Sequence, residues 1–79
     1  MNKKYYEYVA IKIKQARLRQ GLTQADVADL IGKQRAAYAQ YERGAAAIDM
    51  DVWARIAKVL RLDAGRIMKE AQEYEEGRL

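Results

Sequence analysis

Proline is absent from this chain of 79 residues, and five glycines divide it at positions 21, 32, 44, 65 and 77. Between glycines, apolar residues return every three or four positions, the period of one buried helical stripe. No stretch alternates apolar and polar residues long enough for a strand. The glycines therefore read as punctuation between short helices.

The stripes and caps predict five helices. Helix one runs from about Lys4 to Gln20, with Tyr5, Val9, Ile13 and Ala16 inward, and Gly21 stops it. Thr23 caps helix two, and Asp26 in its first turn suits the positive end of the helix dipole. Val27, Ala28 and Ile31 form its inner face before Gly32. Helix three spans about Gln34 to Arg43, ahead of Gly44. Asp49 caps helix four, whose stripe is Met50, Trp53, Ile56, Ala57 and Leu60. Asp63 caps helix five, which continues to about Glu76. The expected fold is all-α, a compact five-helix domain over residues 1–79.

Composition narrows the chemistry. The chain has no His and no Cys. It also has no Ser, and Thr23 is its one Thr. Thiolate zinc sites, disulfides and the usual nucleophile–base pairs cannot be assembled. The expectation is a protein that is not an enzyme and needs no cofactor or metal. Residues 1–40 hold eight basic and three acidic side chains, whereas residues 41–79 hold seven basic and eight acidic ones. The basic first half favours a polyanionic partner, nucleic acid before membrane. No apolar run approaches the roughly 20 residues of a membrane span. The start of the chain lacks the apolar core of a secretory signal, so the expected location is the cytoplasm.

The informative segment is LTQADVADLIGKQRAAYAQYERG, residues 22–44. A capped short helix, a glycine turn and a second short helix make a helix-turn-helix. On a wheel of about 100° per residue, Arg35, Ala36, Ala39, Gln40 and Arg43 share one arc. That arc is free of acids and mixes small residues with long hydrogen-bonding ones. It suits a major groove: Arg can pair with guanine, Gln with adenine, and an Ala methyl can meet a thymine methyl. Gln34, Ala37, Tyr38, Tyr41 and Glu42 fall on the opposite, anchoring side. Taken alone, the first arc also fits an ordinary solvated basic face.

The joint pattern resembles the Cro and phage-repressor class of helix-turn-helix domains, the Xre-like family, over about residues 9–68. The motif LTQADVADLIG is followed in register by Arg35, Tyr38, Gln40, Tyr41, Glu42, Arg43 and Gly44. The ARLRQG of residues 16–21 and the MDVWARIAKVL of residues 50–60 fall where that family has its first and fourth helices.

The resemblance implies roles. Gln24, at the start of helix two, would bond a DNA phosphate, against the alternative of a plain helix former. Gln34, Arg35, Ala36, Ala39 and Gln40 would meet bases or nearby phosphates, and Arg43 the backbone. Lys33 would be a further phosphate contact or simply a solvated lysine. Arg17 and Glu42 would form a structural ion pair, against the alternative of two exposed charges. The family pattern departs at Gln34, a poor cap, at Ile48, and at Arg61, where Gly or Asn commonly ends helix four.

The implied partner is double-stranded operator DNA bound by a homodimer. Its seam would lie on helix five, about residues 64–76, through Ile67, Met68, Ala71 and Tyr74. Trp53 would serve that seam or the core. The implied function is a sequence-specific transcriptional regulator, a repressor on a palindromic operator. The alternatives are an antitoxin-type module with a toxin or other protein partner, or a restriction–modification controller protein.

Overall fold

The computed structural model describes residues 3–79; residues 1 and 2, part of the expected domain, lie outside the described residues. Five helices follow one another: α1 Lys3–Arg19, α2 Gln24–Ile31, α3 Arg35–Glu42, α4 Met50–Val59 and α5 Ala64–Glu75. No strand occurs among the described residues. The longest helix, α1, packs against α5 on one side and against α3 on the other, while α2 packs on α3 and α4.

The starts of α2, α4 and α5 are set by short polar side chains. The Thr23 hydroxyl accepts the Asp26 N–H at 3.0 Å, and the Asp26 carboxylate accepts the Thr23 N–H at 2.8 Å. This reciprocal capping box satisfies two backbone donors that the helix itself leaves open. Asp49 and Asp63 cap α4 and α5 by accepting from Val52 and Arg66. Gln34 precedes α3 and makes no side-chain cap bond, as its type suggests.

All five helices end in one bond pattern. An N–H beyond the end returns to a carbonyl five residues back: Leu22 to Arg17, Lys33 to Ala28, Ala45 to Gln40, Leu62 to Ala57 and Arg78 to Glu73. That closure requires a left-handed residue just before the donor. Gly21, Gly32, Gly44 and Gly77 supply it at four ends, and Arg61, with φ 57°, supplies it at the end of α4. A side chain with a Cβ in this conformation costs roughly 1 kcal/mol. Gly44 has an additional reason, because a Cβ there would come within 3.3 Å of the Glu7 backbone. Gly65 departs from the expected punctuation. It lies within the first turn of α5, where Asp63 has already started the helix.

The core gathers Val9, Ile13 and Ala16 of α1, Val27 and Ile31 of α2, Tyr38 of α3, Trp53 and Ile56 of α4, and Ile67 and Ala71 of α5. Trp53 is therefore a core residue. Met50 is not: it opens α4 and stands 64% exposed, since the stripe turns inward only from Val52 onward. The α1–α5 contact is tightened at Tyr8. Its ring lies 5.3 Å from Tyr74, and its hydroxyl donates to Glu70 at 2.8 Å. Burial first, and then the Glu70 carboxylate, push the Tyr8 hydroxyl up to about 12. Glu70 thus ties α5 to α1.

Replacing Thr23 by Ala is expected to cost about 1 kcal/mol through loss of the capping box. Chemical denaturation checks this, with Thr23→Asp, another good cap, retaining most of the stability.

Candidate nucleic-acid interface

The recognition segment begins with a length constraint. Gly32, Lys33 and Gln34 connect α2 to α3. The left-handed Gly32 reverses the chain, and the Lys33 N–H returns to Ala28 at 2.9 Å. Across this short connection α3 keeps one side exposed while its other side is buried against the domain.

The pinning side is Tyr38 and Glu42, both buried, with Ala37 and Tyr41 half-buried. Tyr38 is fully enclosed and meets Tyr41 edge-on at 6.4 Å. The projecting side is Arg35, Ala36, Gln40 and Arg43, all exposed, with Ala39 half-buried at its edge. Gln34 is also exposed. It precedes the first helical residue, so its direction is not that of the anchoring arc on the wheel. Lys33 is half-buried in the turn.

Glu42 holds α3 to α1. Arg17 Nε donates to Glu42 Oε2 at 2.5 Å and its Nη2 donates to Oε1 at 3.0 Å, a bidentate fork. The remaining Arg17 nitrogen, Nη1, donates to the Leu22 carbonyl at 2.9 Å. Both side chains are almost fully enclosed. Burial drives the Glu42 carboxyl up, but hydrogen bonds, foremost those from Arg17, outweigh it and hold the group below the ordinary carboxylate range. The Tyr38 hydroxyl is buried beside this pair without a well-formed bond of its own, and burial with the Glu42 charge pushes its pKa up.

Gln24 extends the pair to a third element. Its amide Nε2 donates to Glu42 Oε1 at 3.2 Å, so the start of α2 is tied to the end of α3. No spacing rule reveals this bond, because it joins residues brought together only by the turn. An amide nitrogen carries two N–H groups, so one remains for an outside acceptor. Gln24 and Arg35 line one open depression together with Leu18, Gly21, Thr23 and Ala25. Leu18, 58% exposed, is an apolar lip that the helix-one stripe does not reveal, since it lies off that stripe.

The residues expected at a dimer seam divide. Ile67 and Ala71 are buried in the chain's own core, packed within the α1–α5 assembly, and offer no surface to a second copy. Helix α5 spends its apolar stripe on α1. Met68 and Tyr74 remain partly exposed. Among the described residues, no cluster of His, Cys, Asp or Glu is arranged to hold a metal ion, and no helix is long and apolar enough to cross a membrane.

Three comparisons bear on this arrangement. Residues 13–67 match the family model described as helix-turn-helix. No curated protein sequence matches the chain. Among solved structures, the chain is similar to the clp gene regulator ClgR from Corynebacterium glutamicum, with a TM-score of 0.77 and 18% identity. That superposition covers 86% of this chain and 72% of the other, and at such identity the likeness concerns the fold.

Two outcomes test the buried pair. Glu42→Ala should cost on the order of 3–5 kcal/mol, because it leaves the Arg17 guanidinium enclosed without its counter-charge. Its folded pKa lies below the ordinary value of 4.5, so its contribution is fully present above pH 4.5 and is lost as pH falls through the folded value. Denaturation midpoints should therefore drop on acidification below pH 4.5, and with a shallower slope in Glu42→Gln.

Proposed function

The chain belongs to the helix-turn-helix family, in its Xre/Cro-like class of DNA-binding transcriptional regulators, and on that premise we propose that it binds a palindromic operator as a dimer and represses transcription. The observation that carries this reading is the two-sidedness of α3. Tyr38 and Glu42 are locked inward, while Arg35, Ala36, Gln40 and Arg43 stand free and no acid interrupts them.

In this reading α3 enters the major groove. Arg35 and Gln40 make the direct base contacts, and Ala36 and Ala39 permit close approach. The second N–H of the Gln24 amide meets a phosphate, aided by the positive end of α2. Lys33, Gln34 and Arg43 add contacts to the backbone or to adjacent bases. The bond from Gln24 to Glu42 supports a further point: the phosphate contact and the reading helix are held as one rigid unit. The reading contains no catalytic step.

One reading head spans too few base pairs for selectivity in a genome, which is the case for a dimer on half-sites about 34 Å apart. With Ile67 and Ala71 enclosed, a seam on α5 would run through Met68 and Tyr74. Repression then follows from occupancy, a bound dimer excluding polymerase from the same DNA.

Gel shifts with the DNA upstream of the protein's own gene, across a salt series, test the reading. The expected result is one protected palindrome and a steep loss of affinity with salt. Arg35→Ala should lose about 1–3 kcal/mol and relax base choice at one position. Gln24→Ala should weaken all sequences alike. Equal selectivity of both variants would remove α3 from base reading. Met68→Glu should shift sedimentation toward the monomer, and an unchanged dimer would take the seam off α5.

A further inference from the structure

We propose that the depression between α1 and the α4–α5 turn binds a phosphate-bearing anion, at a site separate from the recognition face. Four cationic side chains from three elements line it: Lys12 and Arg19 of α1, Arg61 of the turn and Arg66 of α5. Two carboxylates, Asp63 and Glu70, share the lining with these four cations. Asp63 accepts the Arg66 backbone N–H at 3.1 Å as the cap of α5. Glu70 accepts from the Tyr8 hydroxyl at 2.8 Å and from Arg66 Nε at 3.2 Å. The lining therefore keeps a surplus of positive charge. Arg19 and Arg61 have no ion-pair partner among the described residues.

Arg61 is an independent pointer. The five helix ends share one left-handed closure, and four of them use glycine. At the end of α4, which borders this depression, a long cationic side chain stands where the other four ends have glycine, in a conformation that disfavours any Cβ. The turn is also held in place: Gln20 Nε2 donates to the Leu60 carbonyl at 2.6 Å, fastening it to the end of α1. Arg19 and Arg61 thus reach one space from two anchored segments. Guanidinium groups suit phosphate because their planar N–H pairs match two oxygens at once.

The phosphate has two possible sources, a free polyphosphate-bearing molecule or the backbone of DNA flanking the recognition helix. Arg19 lies two residues before Gly21, which lines the neighbouring depression of Gln24 and Arg35, so the two surfaces adjoin. The site does not depend on the operator reading, and it is tested without an operator.

Calorimetric titration of the full chain with inorganic tripolyphosphate, at matched ionic strength, compares the parent with Arg61→Gly and Arg19→Gln. Glycine removes the backbone penalty, so Arg61→Gly should melt higher than the parent and bind the anion roughly tenfold more weakly, as expected for one lost charge-assisted contact. Arg19→Gln, with its backbone unchanged, should show a similar loss. Arg43→Gln, on the recognition face, should leave tripolyphosphate affinity as it was. A parallel series on a random 30-base-pair duplex assigns the source: a salt slope lowered by about one in Arg61→Gly marks backbone phosphate, and an unchanged slope marks a free ligand. Equal tripolyphosphate affinity in the parent, Arg61→Gly and Arg19→Gln, or none in the parent, overturns the proposal.

Discussion

The buried fork between Arg17 and Glu42 is the constraint on which the recognition surface depends. Four parts of the fold meet at it: α1 gives the guanidinium, α3 the carboxylate, α2 the Gln24 amide and the α1–α2 turn the Leu22 carbonyl. Enclosed charges gain little net stability over apolar packing, because desolvation opposes attraction. Their value here is geometric. A short helix such as α3 cannot hold its own orientation by propensity, since helices of this length are marginal in isolation. The fork fixes its C-terminal end, Tyr38 fixes its middle, and its exposed side is thereby aimed.

A second constraint comes from the helix ends. Five short helices in so few residues leave a large fraction of backbone groups at termini, where helical bonds are missing. Side-chain caps at Thr23, Asp49 and Asp63 satisfy donors at three starts, and one repeated left-handed closure satisfies carbonyls at all five ends. The turns are tight as a consequence, so charged residues from separate helices come near one another. The basic depression of Arg19 and Arg61 arises in this way, as does the joining of Gln24 with Arg35.

Much of this was legible from the sequence for local reasons. Helix positions follow from periodic apolar residues and from caps whose chemistry acts within three residues. Thr23 with Asp26, Asp49 and Asp63 each act at the site where they stand. The outward set Arg35, Ala36, Gln40 and Arg43 follows from helical geometry once Tyr38 is taken as inward. Local rules also misassigned residues. Met50 sits on the first turn of α4, where the wheel predicts an inward side chain before the helix has reached the core. Gly65 resembles a terminator in sequence, but Asp63 had already begun a helix around it.

What the sequence alone determined is the number of helices, their caps and the face that α3 offers, because each depends on neighbours within one or two turns. What only the tertiary structure decided is which apolar stripe meets which. The stripe of α5 could have served a second copy or the chain itself, and amphipathicity is the same in both cases. Its packing on α1 encloses Ile67 and Ala71 and removes them from any seam. The Gln24–Glu42 bond and the Arg19–Arg61 depression likewise join residues 18 and 42 positions apart. Such pairs exist only after the chain has closed on itself, since side-chain reach is set by distance in space and not along the sequence.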